Sequence, residues 1–196
     1  MNIPQFDVNE RIIISEDKYQ YKNCCTLEEL KRVIEEYSKK QKKEVWFYPA
    51  HLGVKGFFGT RDIFLLGLNP SSGTFPSDKD LALYNLLKEK KLENIHITDF
   101  IKVRAKNKQV SDLILDKDLM TEQARFFSNE LNILKPKIII TLGRQCESLL
   151  MRYFPNIIER CQVQKIKHYS YRFQSRESLF EEISKQIDDI LKESTK

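Results

Sequence analysis

Short apolar runs alternate with stretches of helical spacing along most of this chain. The first run, Ile63-Phe64-Leu65-Leu66, reads as a buried strand because it is brief and bounded by turn residues. Gly67 permits a tight turn and Pro70 stops pairing. After Ser71, Ser72 and Phe75, Asp78 and Asp80 open a helical pattern with Leu81, Tyr84 and Leu87 at its apolar positions. A second strand is predicted over Asn94 to Thr98, with Asp99 to Arg104 at its exit and a polar loop to about Asp116. The helix predicted from Asp118 to Leu134 buries Leu119, Phe126, Phe127 and Leu131, and Pro136 stops it.

Lys137 to Leu142 is the clearest strand, a β-branched run suited to the centre of a parallel sheet. Gly143 turns it, and Arg144 to Phe154 returns as a helix. Gln162 to Ile166 alternates like a last strand, and His168-Tyr169-Ser170-Tyr171-Arg172 forms the loop after it. A closing helix directs Leu179, Ile183, Ile187, Ile190 and Leu191 inward.

Ahead of these units, residues 1–25 are mixed and predict no element. Thr26 with Glu29 makes a capping box before a stripe of Leu27, Leu30, Val33, Ile34 and Tyr37. Lys39, Lys40, Lys42 and Lys43 follow where the helix dipole favours cations. Residues 45–60 form an aromatic, glycine-rich loop that either lines a pocket or packs beneath the chain.

A helix followed by four strand–helix units requires parallel neighbours and right-handed crossovers. The expected fold is α/β, a three-layer α/β/α sandwich around a four-stranded parallel sheet. One domain spans 1–196, with the helix and aromatic loop in 1–60 and the strand–helix core in 61–193.

Composition agrees: 41% hydrophobic and 31% charged residues mark a globular chain. No run approaches a membrane span, and Met1 to Asp7 lacks the blocks of a signal peptide, so a cytoplasmic monomer without membrane partners is expected. Cys24, Cys25, Cys146 and Cys161 have no metal or cluster spacing and read as reduced thiols. Neither metal nor cofactor is expected. The net charge of +5 permits nucleic-acid binding, with clusters at Lys102, Arg104, Lys106 and Lys108 and at Lys165, Lys167, Arg172 and Arg176. Either cluster alone also suits a plain solvated face.

Parallel strands exit on one edge of a sheet, so Asn69, Asp99, Arg144 and His168 should gather there. These residues carry a resemblance. Gly67-Leu68-Asn69-Pro70-Ser71 resembles the first motif of the uracil-DNA glycosylase superfamily, nearest its mismatch-specific and single-strand-selective branches. His168-Tyr169-Ser170-Tyr171-Arg172 is similar to the second motif. Ile97 to Arg104 resembles the Ile-Thr-Asn-x-x-Lys-x-Arg segment of the thermostable branch, and Lys135 to Gln145 matches a further shared segment. The motifs span roughly residues 60–192 in the family's order.

The resemblance implies a DNA glycosylase of base excision repair that releases uracil or a related base from a flipped nucleotide. Asn69 would orient the attacking water, and His168 would donate to the base carbonyl that gains charge. Phe75 would stack on the base, Asp99 would read its edge, and Gly67 and Leu68 would border it. Ser71, Ser72, Arg144 and Ser170 would contact DNA, with Tyr171 and Arg172 where the family inserts a wedge. Two positions depart from the family. Asp99 stands where an Asn is usual, so it either accepts only, as a carboxylate, or reads uracil as a neutral acid. Tyr169 replaces a proline, which loosens the loop. The alternative is a non-catalytic member that binds nucleic acid or nucleotides.

Overall fold

The computed structural model describes residues 24–106 and 109–193. Lys108 and most of the mixed N-terminal stretch lie outside the described residues. Four parallel strands form one sheet: β1 (Ile63–Gly67), β2 (His96–Asp99), β3 (Ile138–Leu142) and β4 (Gln162–Ile166), in the order β2-β1-β3-β4. This is the α/β architecture that the residue pattern predicts.

Alternate residues of β1 and β3 feed opposite cores, as period-two geometry requires. Ile63, Leu65, Ile138 and Ile140 pack under α2 (Asp78–Glu89) and α6 (Arg176–Glu193). Phe64, Leu66 and Ile139 pack under α4 (Lys117–Leu134) and α5 (Arg144–Tyr153). Helices cover both faces, and α1 (Leu27–Gln41) lies outside, joining Leu30 and Ile34 to Phe126 of α4. The chain steps from β1 to one side, then crosses back to β3 on the other. That reversal leaves a crevice at the carboxyl ends of the central strands.

Several local features differ from the sequence expectation. The second strand begins later than predicted and ends with Asp99 inside it, paired with Gly67. The loop before Asp116 contains a short helix, α3 (Val110–Leu115), which fully buries none of its residues and rests only Leu113 and Ile114 against the core. Half of the expected box at α1 forms: Thr26 accepts from the Glu29 amide, while the Glu29 carboxylate takes the Cys25 amide instead. In the aromatic stretch 45–60, Val45 bridges Val103 and the Trp46 amide donates to the Lys102 carbonyl at 3.1 Å. This backbone pairing lays the stretch along the exit of β2.

One member of the first basic cluster is not on the surface at all. Lys102 is buried, with its ammonium 2.7 Å from Glu130 Oε1 and 2.6 Å from Thr98 Oγ1. It also donates to the Asp99 carbonyl. His96 lies against Glu130 Oε2 at 3.3 Å and the Phe57 carbonyl at 2.6 Å. Burial alone would raise the Glu130 carboxyl, but Lys102 and His96 outweigh it and hold it below the usual range.

Removing one member of such a pair strands the other charge in the interior. Lys102→Met and Glu130→Gln should each cost about 3–5 kcal/mol in urea unfolding. Breaking the exposed Lys137–Asp62 pair with Lys137→Ala should cost less than about 1 kcal/mol.

Candidate active site

The exits of β1 and β2 run side by side beyond the sheet. The Phe100 amide donates to the Gly67 carbonyl at 2.9 Å, Ile101 to Leu68 at 3.0 Å and Ala105 to Pro70 at 3.3 Å. Asn69 Nδ2 donates to the carbonyls of Pro70 (3.0 Å) and Ala105 (3.5 Å). With its amide nitrogen committed to the backbone, Asn69 keeps Oδ1 as the free acceptor. Arg104 holds the following turn, donating to the carbonyls of Ser71 (3.0 Å) and Gly73 (2.6 Å) while pairing with Glu44 at 2.8 Å. Ser71 and Ser72 stand exposed on that turn.

Asp99 sits beside Gly67 so closely that a Cβ on Gly67 would lie 2.1 Å from Asp99 Oδ1. Only glycine leaves room for the carboxyl there. Asp99 is buried, and its Oδ2 has no hydrogen-bond partner among the described residues. Lys102 meets the backbone of Asp99 but gives its charge to Glu130. Burial therefore dominates and pushes the Asp99 carboxyl up to about 7; Lys102 pulls against it and Glu130 adds to it.

Aromatic rings build the wall opposite. Phe75 lies 5.8 Å from Trp46, 5.5 Å from His51 and 5.6 Å from Tyr84, between centroids. Trp46 meets Tyr48 edge-on at 4.8 Å, and Tyr48 Oη approaches Tyr169 Oη at 3.5 Å. Tyr169 donates to Asp80 Oδ1 at 3.2 Å and stacks on His168 at 4.8 Å. His51 Nε2 is buried here without a partner.

His168 follows β4, beside Gly143, whose φ of +84° is the region glycine adopts freely. His168 Nδ1 accepts from the Ser170 amide at 3.0 Å and lies 2.8 Å from Ser170 Oγ. Burial, helped by the charge of Lys79, lowers the imidazole to about 4. The ring is thus neutral at physiological pH. An amide donating to Nδ1 puts the ring's own proton on Nε2. Ser170, expected among the DNA contacts, turns both its amide and its hydroxyl towards His168.

Gly67, Leu68, Asn69, Asp99 and His168 thus share one edge of the sheet, and the aromatic contacts from Trp46 to Tyr169 link Phe75 to His168. Arg144 is exposed at the first position of α5, while Tyr171 and Arg172 lie exposed on the loop beyond His168. Sequence reasoning named neither Tyr48 nor His51 individually. Their signal was the aromatic content of residues 45–60.

The uracil DNA glycosylase superfamily model matches residues 58–192. The chain belongs to that superfamily. No curated protein matches it as a relative. Membership brings DNA as the substrate and glycosylase chemistry as the activity to test. Among the described residues, no group of three or more His, Cys, Asp or Glu is placed to hold a metal ion. No helix among them is long and apolar enough to cross a membrane.

The shift at Asp99 makes stability depend on pH. Its carboxyl is raised from 3.8 to about 7, so the folded chain binds a proton that the unfolded chain has released. That contribution is complete at low pH and is lost as pH rises to about 7. Asp99→Asn cannot ionise and should escape the loss. Its advantage over wild type in urea unfolding should grow from about pH 5 to about pH 7 by at most ~1.4 kcal/mol per unit.

Proposed function

We propose that the chain is a monofunctional DNA glycosylase that hydrolyses the bond between deoxyribose and a damaged or deaminated base flipped from the strand. It works as a monomeric single domain. Breaking this bond builds positive charge on the sugar and negative charge on the departing base. Asn69 holds the water through Oδ1, and because an amide is not a base its contribution is positioning. His168 donates Nε2–H to the base carbonyl as charge collects there. Phe75 stacks on the ring, and Gly67 and Leu68 let the backbone approach it.

Asp99 selects the base. A neutral carboxylic acid offers one donor and one acceptor, the pair an asparagine would offer. It matches an edge with a carbonyl beside a ring N–H, as in uracil, hypoxanthine and xanthine. The ionised form accepts only and repels the carbonyl. Ser71, Ser72 and Arg144 take phosphates along the edge. The observation that carries this reading is the pairing of Ser170 with His168 Nδ1, which leaves a neutral ring with its proton on Nε2.

A base-release panel with uracil, hypoxanthine, xanthine and thymine mismatches tests the proposal in single- and double-stranded oligonucleotides. Asn69→Ala and His168→Ala should each slow release by about one to three orders of magnitude. Full activity in both variants would refute the assignment, and no release by wild type from any substrate would favour binding without catalysis.

Release of uracil by wild type should decline as pH rises past about 7, where Asp99 ionises. Asp99→Asn should flatten that decline. An unchanged pH profile and an unchanged ranking of bases would remove Asp99 from recognition.

A further inference from the structure

Beyond the His168 loop lies a groove of about 230 Å³, whose walls include Lys79, Tyr169, Tyr171, Arg172 and Arg176. Tyr169 belongs to both places: it lines the groove and stacks on His168. The groove and the proposed catalytic edge therefore share Tyr169.

Its cations are available. Arg172 is exposed and has no ion-pair partner among the described residues. Among the described residues, Lys79 donates only to the Ser170 carbonyl, at 3.4 Å. Arg176 meets Asp78 at 3.2 Å, but both side chains are more than half exposed, so the pair is weak and readily exchanged. Together they favour an anion.

An exposed aromatic pair adjoins the groove, with Tyr171 in its wall and Phe173 packed on Tyr171. Phe173 is 89% exposed, and its ring meets Tyr171 edge-on at 5.6 Å. Tyr171 is itself steadied by Lys167, whose ammonium lies 5.5 Å from its ring and is anchored on Glu182 at 2.7 Å. A single exposed ring on a protein surface is ordinary. An exposed phenyl ring that follows Arg172 in sequence and packs on Tyr171, a wall of the groove shared with Lys79, Arg172 and Arg176, has the two features a strand of nucleic acid requires. One is a flat face for a base, and the other is positive charge for its phosphate.

We propose that this groove is a second nucleotide subsite for single-stranded DNA, with the phosphate on Arg172 and Lys79 and the neighbouring unpaired base stacked on Phe173. In a duplex that base has both faces covered by its neighbours, whereas in a single strand one face is free. The proposal rests on the glycosylase reading for the presence of the strand and adds strand preference to it.

Binding to undamaged oligonucleotides separates the two. Fluorescence anisotropy would be measured with labelled oligothymidylate, an abasic phosphodiester of the same length, and a duplex. Phe173→Ala should weaken binding to oligothymidylate by about fivefold or more and leave the abasic strand unaffected. Arg172→Gln should weaken both single strands alike and lower the salt dependence of each by roughly one phosphate contact. Phe173→Trp should restore binding. An equal loss on the abasic strand would overturn stacking, and a greater loss on the duplex would overturn the single-strand assignment in favour of insertion between base pairs. These side chains are exposed, and matching melting temperatures would verify folding. The probes carry no damaged base, so the result stands apart from the release panel.

Discussion

The pairing of Lys102 with Glu130 is the interaction on which this structure turns. Two full charges buried together are costly to desolvate, and they persist only where every partner is in place. Thr98, the Asp99 carbonyl and His96 supply those partners, all from strand β2 itself. The effect on the neighbouring carboxyl is indirect. Lys102 grips the backbone of Asp99 yet spends its charge on Glu130, which leaves the Asp99 side chain facing Gly67 with no counter-ion. Burial then decides the Asp99 carboxyl, with the nearby Lys102–Glu130 pair adding opposing smaller effects.

The groups around the pocket share one electrostatic tendency. Burial lifts Asp99, Tyr48 and Tyr169 towards their protonated forms and lowers His168 towards its neutral form. Every shift moves away from charge, because the walls are largely aromatic and exclude water. Arg172 and Arg144 are exposed, and Lys79 is half-buried at the start of α2. On the proposed reading, the uncharged groups suit a neutral heterocycle and the outlying cations suit phosphates.

Much of this was readable from residues alone, and the exceptions have physical causes. Central parallel strands are apolar on both faces, so Ile63 to Leu66 and Ile138 to Leu142 stood out. Strand β2 is short, and its buried His96, Thr98 and Asp99 look polar in sequence because their partners come from distant elements. Lys102 resembled a member of an exposed basic run for the same reason: Glu130, which neutralises it, lies a whole helix away. Tyr48 and Tyr169 meet across 121 positions, a contact no local pattern records. The strand-end residues Asn69 and His168 were legible because topology alone brings them to one edge.

Asp80 occupies two structures at once. Its Oδ2 receives the Ser77 amide at 2.8 Å and the Ser77 hydroxyl at 2.7 Å, closing the capping box at the head of α2. Its Oδ1 receives the hydroxyl of Tyr169, whose ring supports His168. A single carboxylate therefore fastens the start of a helix and the back of the imidazole. Fraying of that first turn would slacken the histidine in the same event. Breathing at the head of α2 would therefore loosen the support behind His168.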